Sequence, residues 1–350
     1  MKVKKTMAAI LVKSHQDLYI EEIYLPKKLE SGQVLVQLIS SGICGAQLNE
    51  IDAIKGEDRF LPHLLGHEGL CKVIERAADV STVQEGDIAI MHWRRGSGIN
   101  SKTPAYKWRE GKVNAGWVTT FNEHAIVSEN RLTRIPNEVS ISSDVLPLLG
   151  CALTTAFGVA TREIPSDLEG TVLLFGVGGI GLALVVVLNM LGKYEIIVID
   201  KDIEKLKIAI QMGAKETILF NSKEQCKMEL KQLMKGPRAD IALETTGNTS
   251  CIELAYELTK EDGFVNLIGV PNSQKMVSIY TLPLHYGKTL RGSDGGSTNP
   301  DLDIPALIQI LEKKPLLLEH YPLRVYGLKE INLAINNIRS GQPGRSIIRF

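Results

Sequence analysis

Two cysteines and one histidine stand out because side chains of these types can hold a metal ion. Cys44 lies in GICG, His67 in GHE and Cys151 in GCA, far apart in the chain. Two thiolates and an imidazole bind Zn²⁺ well and leave a fourth coordination position open for a substrate oxygen. Spacing alone leaves other interpretations open, because a cysteine is often a small buried apolar residue and a histidine a satisfied polar one. Only folding could bring the three together.

A second pattern is suited to binding phosphate. The stretch GVGGIG fits G-x-G-x-x-G and stands between a short apolar run and an apolar stretch of helical length. Gly176 permits the tight turn, Gly178 lets the backbone approach a pyrophosphate, and Gly181 lets the helix pack closely on the strand. Asp200 ends the next apolar run, where a carboxylate would bind the adenosine ribose and repel a 2′-phosphate. The pattern predicts an NAD site, and the alternative is an ordinary glycine turn.

Two kinds of domain are predicted to position these residues. Up to about residue 150 the sequence predicts many short strands, which is typical of a barrel-like β domain. Beyond residue 152, apolar runs alternate with stretches of helical spacing, which predicts a doubly wound parallel sheet with crossover helices. Phe264–Val270 is one of the strands predicted there. The predicted fold class is α/β.

The stretch 33–39 gives the clearest strand pattern of the first part. Val34, Val36 and Leu38 are expected on one face and Gln33 and Gln37 on the other. This alternation predicts a half-buried strand.

The motifs GICG, PHLLGHE, GCALTT and GVGGIG, with the later SG and GRSII, occur in an order that resembles a known family. They resemble the zinc-containing alcohol dehydrogenases of the medium-chain dehydrogenase/reductase family from about residue 8 onward. The resemblance implies a GroES-like β-barrel catalytic domain formed by residues 1–152 and 294–350, and a Rossmann NAD-binding domain formed by residues 153–293. It also implies that Cys44, His67 and Cys151 bind one catalytic zinc, with Glu68 close to the metal.

The same resemblance implies further cofactor contacts. Thr155 and Ile180 would line the nicotinamide, Arg345 would contact the pyrophosphate, and Lys205 would lie beside the adenosine ribose. For Lys205 a solvated helix lysine is the alternative. Zinc would polarise the oxygen of an alcohol or carbonyl, and NAD would carry the hydride.

Two departures from the family pattern bear on the chemistry. Many relatives carry a second, structural zinc in a four-cysteine lobe, whereas here no cysteine lies between Cys71 and Cys151. One catalytic zinc and no structural zinc are therefore expected. After the first ligand the chain reads Ala46, Gln47 and Asn49, where relatives carry a hydroxyl, an acid and a histidine. The proton then leaves by another route, or the substrate differs from simple alcohols.

A basic and aromatic segment, residues 91–112, takes the place of that lobe. It holds six cations against one acid, Glu110, and the three tryptophans lie within or just after it, together with Tyr106. Aromatic faces beside guanidinium groups suit a sugar ring that bears phosphate. The segment suggests a polyol, sugar or phosphorylated sugar-like substrate, and the alternative is a solvated or dimer-contacting loop.

Composition narrows the class of protein. The chain has 350 residues, 40 Lys and Arg against 40 Asp and Glu, and five scattered cysteines. The balanced charge argues against nucleic-acid or membrane-surface binding, and no apolar run approaches the length of a membrane helix. An odd number of scattered cysteines is unlike a disulfide framework and favours the reducing environment of the cytoplasm. Composition thus favours a cytoplasmic protein. The motifs and the resemblance imply NAD- and zinc-dependent dehydrogenase activity on a secondary alcohol, and the resemblance alone implies a homodimer or homotetramer. The alternatives are a zinc-free reductase of the quinone oxidoreductase type and a catalytically retired NAD-binding protein.

Overall fold

The structure is a computed structural model that describes residues 1–54, 56–109, 111–234, 238–272, 275–314 and 318–350. The chain divides into two compact units. The first unit comprises Met1–Thr154, Asn299–Lys314 and Pro322–Phe350. The second comprises Thr155–Thr298 and Pro315–Tyr321, of which 318–321 are described.

Helices and strands follow one another along the described residues in a regular order. The strands are β1 (Lys5–Leu11), β2 (Tyr19–Tyr24), β3 (Gln33–Ile43), β4 (His63–Leu64), β5 (Gly69–Arg76), β6 (Ile88–Met91), β7 (Ala105–Trp108), β8 (Gly111–Asn114), β9 (His124–Ser128), β10 (Leu132–Ile135), β11 (Gly170–Phe175), β12 (Tyr194–Asp200), β13 (Glu216–Leu219), β14 (Ala239–Glu244), β15 (Thr259–Leu267), β16 (Thr289–Gly292), β17 (Leu323–Gly327) and β18 (Arg345–Arg349). The helices are α1 (Gly45–Ile51), α2 (Ala152–Gly158), α3 (Gly179–Leu191), α4 (Ile203–Gln211), α5 (Lys223–Leu233), α6 (Thr249–Glu257), α7 (Pro300–Lys313) and α8 (Ile331–Arg339).

The first unit contains a small closed barrel in the order β1-β2-β7-β8-β4. Alternate residues of these strands point inward, and Ile10, Ile23, Tyr106 and Val113 are all buried there. The Tyr106 hydroxyl oxygen accepts a hydrogen bond from the Ile126 backbone N–H at 2.8 Å, so the polar end of this buried ring is satisfied. The expected β-barrel is confirmed, and part of the basic and aromatic segment forms its β7–β8 hairpin.

A second sheet of the first unit runs β10-β6-β5-β3-β18-β17, with β9 also paired to β3. The half-buried pattern predicted for β3 is wrong. Val34 and Val36 pack into one apolar cluster and Leu35 into another, because β3 is central and both of its faces are covered. Gln33 is also buried and donates its amide to the Lys102 carbonyl at 3.0 Å. The period of two is present, but it separates two cores rather than core from solvent.

The second unit is a six-stranded parallel sheet in the order β13-β12-β11-β14-β15-β16. From β11 the chain adds β12 and β13 on one side of the sheet, and it then returns to add β14, β15 and β16 on the other side. The point between β11 and β14 is therefore the topological switch point, and dinucleotide folds bind their ligands there, at the carboxyl ends of the strands. Helix α3 is apolar on all sides and almost wholly buried, as expected of a helix packed within a core. The predicted Rossmann-type sheet is confirmed.

One strand of this sheet differs from its predicted limits. Instead of Phe264–Val270, the strand β15 begins at Thr259 and ends at Leu267. Its first residues read TKEDG and are mostly exposed, so an apolar pattern cannot detect them, and a register shift against β14 follows. Within the described ranges, no helix is long and apolar enough to cross a bilayer.

Candidate functional site

Cys44 lies between the end of β3 and the first residue of α1. Its backbone is extended, and it is the N-cap residue of the helix. The backbone N–H of Gln47, at the third helical position, bonds to the Cys44 carbonyl at 3.0 Å. The thiol is therefore fixed between a central strand and a helix start, and such a site is more rigid than a loop.

His67 and Cys151 are brought to the same place by two loops. His67 lies between β4 and β5, and Cys151 follows a tight helical turn, Leu146–Gly150. Gly150 makes this approach possible, because a Cβ there would lie 2.2 Å from the Met91 carbonyl oxygen. The glycine before the cysteine in GCA is thus required by close backbone packing.

The ligand atoms of Cys44, His67 and Cys151 all lie within 4.8 Å of one another. Around a tetrahedral zinc, neighbouring ligand atoms are roughly 3.5–4 Å apart, so small movements would suffice. His67 Nε2 is buried and has no hydrogen-bond partner among the residues that the structure describes. A buried nitrogen without a partner beside two thiols fits a metal ligand, and the donor set is one that zinc prefers.

Each of the two thiols shifts the pKa of the other. The pKa of the Cys44 thiol lies well below its ordinary value, because Cys151 donates a hydrogen bond to it and, against the effect of burial, His67 and Arg345 lie near. The pKa of the Cys151 thiol lies well above its ordinary value, because its proton is held by Cys44 and because it is buried. A divalent cation would stabilise both thiolates at once.

Glu68 is not one of the three ligand residues in this geometry. Its carboxylate forms a buried ion pair with the guanidinium of Arg345, which approaches from β18 in the same unit. Gly42 permits this, because a Cβ there would lie 2.6 Å from Glu68 Oε1. The structure therefore engages Arg345 with Glu68, and the predicted contact of Arg345 with a pyrophosphate stays a prediction.

Gln47 is the residue whose importance sequence reasoning missed. Its side chain is buried, with Oε1 accepting from the Cys44 backbone N–H at 2.9 Å and Nε2 lying 2.6 Å from His67 Nδ1. One amide thus contacts two of the three candidate ligand residues. The available signal was the three-residue spacing from Cys44, which is the spacing of a capping box.

The basic and aromatic segment is divided between several tasks. Trp93 donates to the Cys151 thiol, and the Arg94 guanidinium lies over the Trp93 ring at 5.3 Å. Arg109 instead stacks on Trp108 at 4.5 Å, and both donate to Glu21 in the barrel. Glu110 lies outside the described residues. Among the residues of this segment that the structure describes, Trp93 at its start contacts the candidate metal group.

A buried carboxylate holds the start of this segment in place. Glu129 accepts the backbone N–H groups of Ser81, Thr82 and Ile99 at 2.7, 2.9 and 2.8 Å. Burial by itself raises the pKa of Glu129, but these hydrogen bonds outweigh burial and lower it. An ionised side chain therefore holds the backbone of the segment at Ile99 against the turn at Ser81 and Thr82.

The glycine turn of the second unit joins β11 to α3. Gly176 has φ +86°, and a Cβ on Gly181 would lie 2.1 Å from the Gly176 carbonyl oxygen. Gly178 differs, because its φ is −70° and nothing lies within 4 Å of its ideal Cβ. The first and third glycines are thus needed by the turn itself, and the second borders open space in front of the helix N-terminus.

Asp200 braces this turn from the end of β12. Its carboxylate accepts the Val177 N–H at 2.7 Å and the Asp202 N–H at 3.0 Å. Lys205, in the first turn of α4, and Ile180, in the first turn of α3, are both partly exposed in the same unit. Thr155 is buried on α2. The ribose and nicotinamide contacts proposed for these four residues stay predictions.

Two family descriptions match the chain. Residues 30–137 match the alcohol dehydrogenase GroES-like domain, and residues 179–313 match the zinc-binding dehydrogenase domain. Cys44 and His67 lie within the first match, and Gly181 and Asp200 lie within the second.

Whole-length relatives agree with these matches. The chain is 28% identical to alcohol dehydrogenase 6 of Peromyscus maniculatus over 99% of this chain and 98% of the relative. It is 27% identical to S-(hydroxymethyl)glutathione dehydrogenase of Synechocystis over 99% of this chain and the whole relative. Benzyl alcohol dehydrogenase from Acinetobacter calcoaceticus has a similar fold, with a TM-score of 0.87 at 23% identity, covering 99% of this chain and 100% of that one.

Proposed function

Because the chain belongs to the zinc-containing alcohol dehydrogenases of the medium-chain dehydrogenase/reductase family, we propose that it transfers hydride between NAD and a secondary alcohol or ketone. The observation that carries the proposal is the convergence of Cys44, His67 and Cys151 within 4.8 Å. The ligand types, the unpartnered His67 nitrogen and the family support the same metal.

Each residue of the metal group has a definable task. Cys44 and Cys151 would supply two negative charges and His67 a neutral nitrogen, a set that would neutralise a dication and would not fill a fourth coordination position. Zinc, when bound, would act as a Lewis acid on the oxygen of an alcohol or carbonyl, and NAD would accept the hydride. The ion pair of Glu68 with Arg345 fixes the surroundings of the thiols. We assign one zinc to each chain and no structural zinc.

The second unit would bind NAD through its glycine turn. The open space beside Gly178 leaves room for a pyrophosphate at the start of α3. Asp200 already accepts two backbone N–H groups, and the remaining lone pairs of its carboxylate suit the ribose hydroxyls. A second phosphate at the ribose would meet this negative charge, so we expect NAD to bind more tightly than NADP. Thr155, Ile180 and Lys205 are proposed as further cofactor contacts.

The substrate class is proposed as a polyol, sugar or phosphorylated sugar-like alcohol. Trp93 and Arg94 support it, because Trp93 contacts the Cys151 thiol and the Arg94 guanidinium lies over the Trp93 ring. Trp108 and Arg109 do not support it, since both are engaged with Glu21 in the barrel hairpin.

Paired substitutions test this substrate class. R94A is expected to lower kcat/KM on a phosphorylated sugar alcohol by tenfold or more, the loss of one charge-assisted hydrogen bond. R109A is the matched control and should leave kcat/KM unchanged. If R94A and R95A both retain full activity on the best substrate, this segment does not select the substrate.

Ala46 and Asn49 bear on how the substrate proton leaves. A methyl group cannot transfer a proton, and an amide is not a base at neutral pH. We therefore expect the proton to leave through water or a substrate hydroxyl, and a polyol would supply the latter.

The deciding experiment combines metal analysis with turnover. Purified protein should contain one zinc per chain and release NADH with a panel of secondary alcohols, sugar alcohols, sugar phosphates and S-(hydroxymethyl)glutathione. Reduction of quinones without zinc would indicate the zinc-free alternative. One zinc and tight NADH binding without turnover on any alcohol would indicate a retired enzyme. Sedimentation of the same sample tests the expected homodimer or homotetramer.

A further inference from the structure

The amide of Gln47 lies between two groups that both require an acceptor when metal is bound. Oε1 is 2.9 Å from the Cys44 backbone nitrogen, and Nε2 is 2.6 Å from His67 Nδ1. The side chain is 1% exposed, so water cannot readily correct a mismatch.

The first of these groups is a fixed donor. The backbone N–H of Cys44 is the N-cap N–H of α1, and Gln47 stands at the third helical position, where a capping box places its acceptor. A backbone N–H can only donate.

The second group becomes a donor when metal binds. Nδ1 of His67 faces Gln47, so Nε2, which is buried without a partner among the described residues, is the nitrogen left for the metal. A neutral imidazole that binds a metal through one nitrogen carries its hydrogen on the other. His67 Nδ1–H then points at the Gln47 amide.

One amide cannot accept both hydrogen bonds in this geometry. With Oε1 toward Cys44, the Nε2 amino group meets Nδ1–H, donor against donor. With the amide turned over, Oε1 accepts from Nδ1–H, but the amino group then meets the Cys44 N–H. Either orientation leaves one buried donor facing another, and such a pair costs more than an absent hydrogen bond.

We propose that Gln47 is a positioning residue that weakens the metal site by design: its amide satisfies one of two ligand-residue donors, so zinc is held less tightly than a carboxylate at this position would allow. This inference rests on the metal site of the proposed function. Without metal, the observed orientation can satisfy both contacts, because an unprotonated His67 Nδ1 can accept from the Gln47 amino group.

Glutamate at position 47 is the variant that isolates the effect. It has the same length as glutamine and is a normal capping-box residue, and its two oxygens accept both donors at once. Q47L has a similar volume but accepts neither. N49D is the matched control, because it places the same negative charge two residues further along α1, away from His67 Nδ1.

The experiment measures zinc affinity of the full-length protein by competition with a chromophoric chelator. Q47E should bind zinc about tenfold to a hundredfold more tightly than wild type, Q47L more weakly, and N49D within about twofold. The melting temperature of the metal-free proteins is the second readout. Expressed as free energies, the change in stability caused by Q47E should be far smaller than its change in zinc binding. The spectrum of cobalt-loaded Q47E should also differ from that of wild type, because the ligand histidine changes its partner.

The outcomes separate the two proposals. If wild type binds zinc and Q47E binds no more tightly, or N49D gains as much as Q47E, the inference is wrong and the metal site stands. If neither wild type nor Q47E binds zinc, the metal site and the inference both fail. Zinc binding by Q47E but not by wild type supports the inference in its strongest form.

Discussion

Two positions of the glycine turn allow the same substitution to test stability and cofactor binding separately. Gly178 and Gly181 belong to one turn, yet their surroundings differ. Nothing lies within 4 Å of an ideal Cβ at Gly178, whereas a Cβ at Gly181 would lie 2.1 Å from a backbone oxygen. We therefore expect G178A to affect the ligand and G181A to affect the fold.

The magnitudes follow from these distances. In G181A, helix α3 and the turn must separate by about 1 Å, an overpacking that costs roughly 1–3 kcal/mol. In G178A the backbone needs no change, since φ is −70°. The poorer N-cap and the stiffer unfolded chain offset each other to within about 1 kcal/mol. The methyl group would keep a pyrophosphate oxygen from an N–H group, a loss of roughly 1.5–3 kcal/mol of NADH binding.

Calorimetry and NADH titration provide the assay. G178A should melt close to wild type and bind NADH about tenfold to a hundredfold more weakly. G181A should lower the melting temperature of the second unit by about 2–12 °C. G192A is the control at the other end of α3, where φ is +70° and no atom is near, and it should lose stability without losing NADH affinity. If G178A binds NADH as wild type does, the turn does not hold the pyrophosphate.

Three further predictions concern the first unit. E129Q should lower the free energy of unfolding by about 1–3 kcal/mol at pH 7. Because folding lowers the pKa of the Glu129 carboxyl, its stabilising contribution is complete above the ordinary pKa of 4.5 and is lost as the pH falls through the folded pKa. Urea unfolding should therefore show a smaller difference between variant and wild type at pH 3 than at pH 7. R345M should lower the free energy of unfolding in urea by about 3–5 kcal/mol, because it leaves the Glu68 carboxylate buried and unpaired. The double variant E68Q/R345M should recover part of that loss. Equal stability of R345M and wild type would show that the pair contributes nothing. Removing zinc with a chelator should lower the calorimetric transition of the first unit and leave that of the second unchanged, since the ligand group lies wholly in the first; a shift of both transitions would contradict this.

Local patterns in the sequence predict the glycine turn and the parallel sheet of the second unit, although not the polar first residues of β15. The strand, glycine turn and helix around Gly176 to Gly181 are contiguous, so their chemistry can be read from neighbouring residues. The first unit was harder, because Cys44, His67 and Cys151 converge only through the fold, and the family resemblance supplied what spacing could not. The Glu68–Arg345 pair joins residues from opposite ends of the chain, and no local pattern indicates it.

Two misreadings have physical causes. The alternation in the stretch 33–39 predicts a half-buried strand, but a central strand covered on both faces needs apolar residues on both, and Leu35 is buried on the second face. Gln47 was read only as a lost acid, because a capping box normally begins with serine or threonine and here begins with cysteine.

The pairing of β18 with β3 has a consequence for synthesis of the protein. Ser346 lies opposite Ile43, one residue before Cys44, and Arg345 reaches Glu68. All strands of the parallel sheet are therefore synthesised before Arg345 and Ser346, which pack beside the metal group. The nascent chain must keep Glu68 without its guanidinium partner while about three hundred residues emerge, and closing so long a loop is slow. We expect zinc capture to be among the last events of folding, after the nucleotide-binding unit has formed.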